Sequence, residues 1–493
     1  DESGGAYVSQ TASGDFLLYP SNLRKAADGS ISGYDLYGAP ARGREAGKEF
    51  LIAQDVSGKP EELTEESSIF YLRAETDGAG TLCAYHLPKR EEVVIDTEVT
   101  AFQQIGGKDS PLCYLRKEGG SQVLYAYNGT AKTELGRAVA EFHLYPTQAS
   151  WELFYLKAQE QDGIFSLYKQ TKTTNAQLVA GVASVRFDQY APGGPLYYLC
   201  PSAEQLSWTD LIEDDKKEED AALQEPKLTD FVGGVLDSLL NFSEYGSGAY
   251  HTALTAYNEK LKRDKIREEL SSLDAEALFG GLRYDCYAFT GTNSLLLAGG
   301  LHLDSLYAAS AASPAIVSYS YSLNQKDRLQ ISALDDEWIA QAQEEGWEAL
   351  LTKLAQQALS PALALTTVKD GKPVSSAIEQ VPQETAFAFS NDGAHLYLLE
   401  EMEQGGTLPR ATVSATGLTE KTKIDTNVSR YIVSKDTVYY LKGSNVQSGT
   451  LYKFTYSESV LIENDVRSLE QLSDGNLLYY QKSADGNTAL FLL

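Results

Sequence analysis

The chain has 493 residues, with 69 Asp and Glu against 41 Lys and Arg, a formal charge of −28 and a pI near 4.6. Such a surface repels phosphate backbones and anionic headgroups, which argues against nucleic acid and an anionic bilayer as partners. Hydrophobic content of 43% suffices for a sizeable core, and no run of 18 apolar residues predicts a membrane-spanning helix.

Tyrosine dominates the aromatic residues, with 31 Tyr against 16 Phe and 4 Trp, beside 40 Gly. Tyrosine favours strands and tolerates a buried ring with a solvated hydroxyl, so this usage points to β structure with many turns. The opening Asp1-Glu-Ser-Gly-Gly5 is small and polar and lacks an initiating Met. It is expected to lie downstream of a signal peptide or membrane anchor, which places the chain outside the cytoplasm.

In chain order, one Tyr- and Leu-rich phrase recurs: Phe16-Leu-Leu-Tyr19, Ile69-Phe-Tyr-Leu72, Leu112-Cys-Tyr-Leu115, Leu153-Phe-Tyr-Leu156 and Leu196-Tyr-Tyr-Leu199. It returns as Leu396-Tyr-Leu-Leu399, Val438-Tyr-Tyr-Leu441 and Leu477-Leu-Tyr-Tyr480, with Ile316-Val-Ser-Tyr319 as a ninth candidate. A second strand follows after a turn, as in Tyr34-Asp-Leu-Tyr37, Leu124-Tyr-Ala-Tyr127, Phe165-Ser-Leu-Tyr168 and Leu451-Tyr-Lys-Phe454. A third apolar run ends in Val56, Val99, Val139, Val182, Val381, Val428 or Val466. A period of roughly 40–45 residues holding about four short strands is the signature of one propeller blade. The predicted fold class is therefore all-β: a β-propeller, eight blades favoured, with rings of seven or nine left open. Asp392-Gly393, Asp474-Gly475 and Asp485-Gly486 supply turn chemistry.

The valine series breaks between Val182 and Val381, which predicts helical insertions in the fifth and sixth repeats. The expected division is 6–202 propeller, 203–281 helical insertion, 282–326 propeller, 327–360 second insertion and 361–493 propeller. The first insertion opens on an acidic stretch, Asp210 to Asp220, read as a solvated charge run with weak Ca²⁺ binding as the alternative. Tyr250, Leu254, Tyr257 and Leu261 then follow helical spacing, with Glu259–Arg263 and Lys265–Glu269 as pairs one turn apart. The second insertion reads as one helix from Asp335-Asp-Glu, with Trp338, Trp347, Leu351, Leu354 and Ala358 as its apolar stripe and Pro361 as its stop. The fifth repeat resumes at Tyr284-Asp-Cys-Tyr287 and ends near Leu297. That puts Cys200 and Cys286 on adjacent strands and leaves a disulfide open.

No chemistry stands out. His86, His143, His251, His302 and His395 show no HExxH or HxH spacing, and Cys83, Cys113, Cys200 and Cys286 show no CxxC, so no metal site is expected. Nucleophile elbows, phosphate loops and dinucleotide fingerprints are absent, so neither catalytic residues nor a cofactor is assigned.

Ser390-Asn-Asp-Gly393 before His395-Leu-Tyr-Leu398, and Ser473-Asp-Gly475 before Leu477-Leu-Tyr-Tyr480, resemble the Ser-x-Asp-Gly turn and following strand of TolB-type propeller repeats. The whole layout also resembles cell-surface propeller proteins of Gram-positive anaerobic bacteria. The resemblance implies a propeller outside the cytoplasm, secreted or held by an N-terminal anchor. The expected function is a non-catalytic binding scaffold for a protein or a cell-envelope component, with the helical insertion as the contact region. A glycan- or peptide-active propeller enzyme and a small-molecule or ion sensor are the alternatives.

Overall fold

A computed structural model describes the chain except residues 1–6, 12–13, 26–30, 64–66, 75–77, 107–109, 149, 232–246, 274–280, 324–327, 335, 379–381, 383–384, 402–404, 435–436, 444–447, 456, 472–476, 483–487 and 493. Val381 and the Asp474-Gly475 and Asp485-Gly486 turns lie outside the described residues. The chain is mostly β and is built by serial repetition. Each repeat is an antiparallel meander in which consecutive strands pair, and the strand order in every large sheet follows the chain order. Repeat 3 shows the pattern: 99–103, Leu112–Glu118, Ser121–Tyr127 and Lys132–Arg137 pair in turn.

The terminal valines mark the joints between repeats. The residue before each has a left-handed backbone: Asp55, Glu98, Ala138, Gly181, Asn427 and Asp465 have φ of 58°, 59°, 57°, 76°, 59° and 57°. The next residue, Val56, Val99, Val139, Val182, Val428 or Val466, is buried in every case. The left-handed residue shifts the ladder register and bends the chain, so one continuous strand leaves a repeat at its outer edge and enters the next as its inner strand. Phe50–Leu63, Glu91–Gln103, Gly417–Ser434 and Glu458–Gln471 all do this. The fifth joint uses the same device with a different side chain. Gly300 has φ of 68° and Leu301 is buried, so the strand expected to end near Leu297 runs on through Ser294–Ala309.

Tyrosine holds the repeats together in two ways. Among the described residues five cross-strand tyrosine pairs stack, with ring centroids 5.0–5.8 Å apart: Tyr19–Tyr37, Tyr114–Tyr125, Tyr155–Tyr168, Tyr198–Tyr287 and Tyr440–Tyr452. Each joins directly opposed residues on the second and third strands, where cross-strand aromatic pairs contribute most. The buried rings at the third position of the phrase also find a hydroxyl partner, as a buried phenol requires. Tyr114 donates to Asp96 at 2.8 Å and Tyr440 to Asp425 at 2.9 Å, and in both cases the carboxylate lies on the outer strand of the preceding repeat. Lys132 and Lys442 complete these staples at 2.8 and 2.6 Å.

Successive inner strands are linked by side chains. Gln104 N–H donates to Glu61, Gln103 exchanges two hydrogen bonds with the backbone of Leu144, and Tyr145 donates to Phe187 O. Arg186 Nη1 then reaches Leu306 O at 2.6 Å, and Tyr431 donates to Ala386 O. The sheets remain open: among the described residues no pairing joins the first strand, Tyr7–Thr11, to the last, Thr488–Leu492.

Helices interrupt two meanders. We label the first three α1 (Trp208–Leu211), α2 (Lys217–Ala222) and α3 (Ser247–Ser271). In place of the single helix expected around 335–360 there are two, α4 (Asp336–Glu345) and α5 (Trp347–Ala358). They break at Gly346, whose φ of 91° no helix accommodates.

Candidate functional site

Both helical stretches leave from the same place in their repeats, the turn between second and third strands. Leu196–Pro201 pairs with Tyr284–Phe289, and the last partners before the excursion are Pro201 and Tyr284. Ile316–Leu323 pairs with Leu359–Lys369, closing at Leu323 and Leu359. In repeat 3 the equivalent turn is only Gly119-Gly120, both with positive φ, between Glu118 and Ser121. Because the two excursions occupy equivalent turns of consecutive repeats, they emerge side by side.

They share one core. Leu211, Ile212, Ile266 and Leu270 from the first pack with Ile331, Leu334, Leu351 and Ala355 from the second, and three of the four tryptophans, Trp208, Trp338 and Trp347, lie against them. A short parallel ladder, Ile212–Glu213 with Leu329–Gln330, ties the two together. Of the stripe expected on the second stretch, Trp338 and Trp347 contact each other at 5.3 Å, and Leu351 and Leu354 face the core. At the base, the Gln205 side chain accepts from Arg283 N–H and donates to Arg283 O, at 2.9 Å each.

The acidic stretch is divided: Glu213, Glu218 and Glu219 are exposed, whereas its aspartates are tied into the module. Asp210 caps α1 through Ser207 N–H at 2.8 Å. Arg263 forks onto Asp220 at 2.8 and 2.6 Å. Arg267 forks onto Asp214 at 2.8 and 2.7 Å, and reaches Asp220 at 2.9 Å and Asp264 at 2.7 Å. Asp215 accepts from Ser332 N–H, and Lys262 pairs with Asp336, so charge also crosses between the two stretches. Asp220 is 2% exposed. Its carboxyl is held below the ordinary range, first by the Arg263 hydrogen bond against the cost of burial, then by Arg267. Bidentate Arg–carboxylate geometry is what makes such a buried network tolerable. Arg263 therefore serves Asp220, while Glu259 pairs with Lys262.

The histidines do not converge. His143 bonds Glu141 at 2.7 Å and stacks on Phe187 at 4.3 Å, whereas His251 is exposed on α3. His302 is held below its usual pKa by burial and then by Arg283. Among the described residues no group of three or more His, Cys, Asp or Glu is placed to hold a metal ion. All four cysteines are free thiols. Cys200 stands opposite Asp285 and Cys286 opposite Leu199, so the two sulfurs project from opposite faces of the sheet and form no disulfide. Burial pushes Cys83 and Cys200 up to about 11 and Cys286 up to about 12.

Sequence reasoning located the helices but missed what joins them. The partners Asp214 and Arg267 are 53 residues apart, and nothing local pairs them. Tyr197 was also read only as a strand residue. Its hydroxyl lies 2.7 and 2.9 Å from Ser310 O and Ser313 O, sharing its one proton between them, and accepts from Ala315 N–H, which seats the 310–315 turn of the next repeat. Gly393, in the Ser-x-Asp-Gly turn, approaches the same segment from the other side, where an added Cβ would lie 2.6 Å from Ser310 Oγ.

No protein-family model and no curated protein matches the chain. Solved structures give distant likenesses. A eukaryotic initiation factor is 10% identical over 94% of this chain and 88% of its own, with a TM-score of 0.43. The tricorn protease is 8% identical over 99% of this chain and 42% of its own, with a TM-score of 0.35. The β-propeller domain of the Trilobed protease from Pyrococcus furiosus is 9% identical over 83% of this chain and 97% of its own, with a TM-score of 0.32.

Proposed function

We propose that this chain is a non-catalytic binding scaffold outside the cytoplasm, in which a β-propeller displays a helical module to a protein or cell-envelope ligand. The supporting observation is the shared core. Two excursions encoded on either side of repeat strands build one folded body with its own buried ion network, raised on one face of the repeats. Function tends to reside on such additions to a rigid scaffold. The propeller reading rests on the serial meanders, the repeated left-handed joints and the side-chain links between inner strands. Ring closure at eight blades would merge the two ends, and particle images along the ring axis count the blades directly.

The test replaces 202–283 and 324–358 with two-residue Asn-Gly turns, since Pro201–Tyr284 and Leu323–Leu359 already pair as hairpin ends. A β-sheet circular dichroism spectrum and a cooperative melt establish that the repeats still fold. Capture of native cell-envelope components by the full chain, lost in this variant, is the expected result. Unchanged capture by the folded variant overturns the assignment of the contact to the helices.

A further inference from the structure

Among the described residues the outer strand of each repeat presents an edge with no strand paired to it, and the repeats treat that edge differently. Among the described residues, 91–98 pairs only with Gly80–His86, and 458–465 only with Gly449–Thr455. Three outer strands are blunted. Lys132–Arg137, Lys372–Ala377 and 417–427 carry Lys, Glu, Gly or Pro, the usual protection of an edge against pairing. The first and fifth repeats carry apolar outer strands, but one face is covered: Phe50 packs on Phe16 and Tyr85, and Leu295 on the core of its own repeat.

The second and eighth repeats carry acids too, but their apolar pairs are more exposed than Leu51 and Leu296 of the first and fifth, which are 42% and 43% exposed. Val93 and Val94 are 56% and 51% exposed, and Val460 and Leu461 are 49% and 50% exposed. Consecutive strand residues point to opposite faces, so each edge shows one exposed apolar residue on either face, while the next residue, Ile95 or Ile462, packs on a core cluster. Each apolar run is flanked by exposed acids, Glu91, Glu92 and Glu98 in one case, Glu458 and Asp465 in the other.

The flanks select the occupant. Antiparallel pairing of the 91–98 edge with the same edge of a second copy has three central registers. Two of them set Glu91 or Glu92 against Asp96, whose charge Tyr114 and Lys132 already answer, and the third sets Glu91 against Glu98. Like charges directly opposed on paired strands are destabilising, and a net charge of −28 on each copy opposes the encounter. An extended segment with an apolar centre and Lys or Arg at its ends brings cations to the exposed Glu91 and Glu98 instead. We propose that the outer strands at 91–98 and 458–465 are docking edges that take up a basic-ended extended peptide as an added antiparallel strand. Main-chain hydrogen bonds supply the affinity and the acidic flanks supply the selectivity. This surface is separate from the helical module.

The probe is a fluorescein-labelled peptide of alternating Val and Thr with two lysines at each end, titrated with the full chain and followed by anisotropy. Two controls carry glutamates at the ends, or N-methyl groups on alternate amides, which remove the edge hydrogen bonds. The expected result is binding of the lysine-ended peptide at least tenfold tighter than either control, with two sites per chain. The exposed substitutions V94K and L461K each remove one site, and together they lower affinity at least tenfold without changing the melting temperature. The chain lacking the helical module binds as the full chain does, so this outcome is independent of the proposed scaffold function. No binding, equal binding of the N-methylated peptide, or unchanged binding by the double variant overturns the proposal.

Discussion

The joints between repeats and the helical module use the same chemistry, an Asp carboxylate answered by cations and hydrogen-bond donors, in opposite arrangements. At the joints it is divided into small units. Asp96 with Tyr114 and Lys132, and Asp425 with Tyr440 and Lys442, are separate staples, each surrounded by its own apolar cluster. In the module it is concentrated, because Arg267 alone touches Asp214, Asp220 and Asp264. Damage to one joint is therefore local, whereas damage to Arg267 reaches the whole module.

The largest expected effect tests that concentration. Arg267→Met leaves Asp214 and the nearly inaccessible Asp220 short of a partner. Breaking a buried pair on one side costs about 3–5 kcal/mol. Helical signal and protease resistance of 203–281 should be lost while the β-sheet signal persists, and loss of both signals in one transition would break the comparison. Gly194→Ala tests the repeat side, since an added Cβ would lie 1.9 Å from Ala311 O, on the turn that Tyr197 seats. Overpacking against backbone costs about 1–3 kcal/mol, read as a lower denaturant midpoint for the sheet transition with the helices following it. Tyr440→Phe removes one staple hydroxyl, and a hydrogen bond to a charged group contributes about 1.5–3 kcal/mol. Its effect on the sheet transition should be smaller than that of Arg267→Met on the helices.

Acid sharpens the comparison further. The folded-state pKa of Asp220 lies below its ordinary 3.8. Its contribution is therefore complete above that value and is lost as pH falls through it toward the folded value. Helical signal should fall with acid over that window, and Asp220→Asn should flatten the dependence while lowering stability at neutral pH. The smallest effect concerns the thiols. A reducing agent should leave the melting temperature unchanged, and Cys286, raised to about 12, should resist alkylation until the chain unfolds.

The repeat was legible because the phrase carrying it performs the same task each time: Tyr71, Tyr114, Tyr155 and Tyr440 all bury a ring and satisfy a hydroxyl. The joints were half legible. A buried Val is a strong local requirement, but the left-handed position before it is taken by Asp, Glu, Ala, Gly and Asn, so no residue type announces it. Leu301 in place of Val left the end of the fifth repeat placed near Leu297, four residues early. The acidic stretch was half legible: Glu213, Glu218 and Glu219 are exposed as a charge run would be, while the arginines that answer Asp214 and Asp220 sit 43 to 53 residues away on another helix. Gly346 was passed over inside an otherwise helical pattern, although its positive φ divides the segment in two.

The paired ends Pro201–Tyr284 and Leu323–Leu359 have a consequence for how such a chain can be altered. A hairpin whose last two residues are already aligned accepts cargo of any length without changing the strands beneath it, since the ends of the cargo need only meet. Gly119-Gly120 closes the same turn with nothing added. That turn is a vacant socket of the same design. A folded domain with adjacent termini, grafted there, would be carried on the face that already bears the helices.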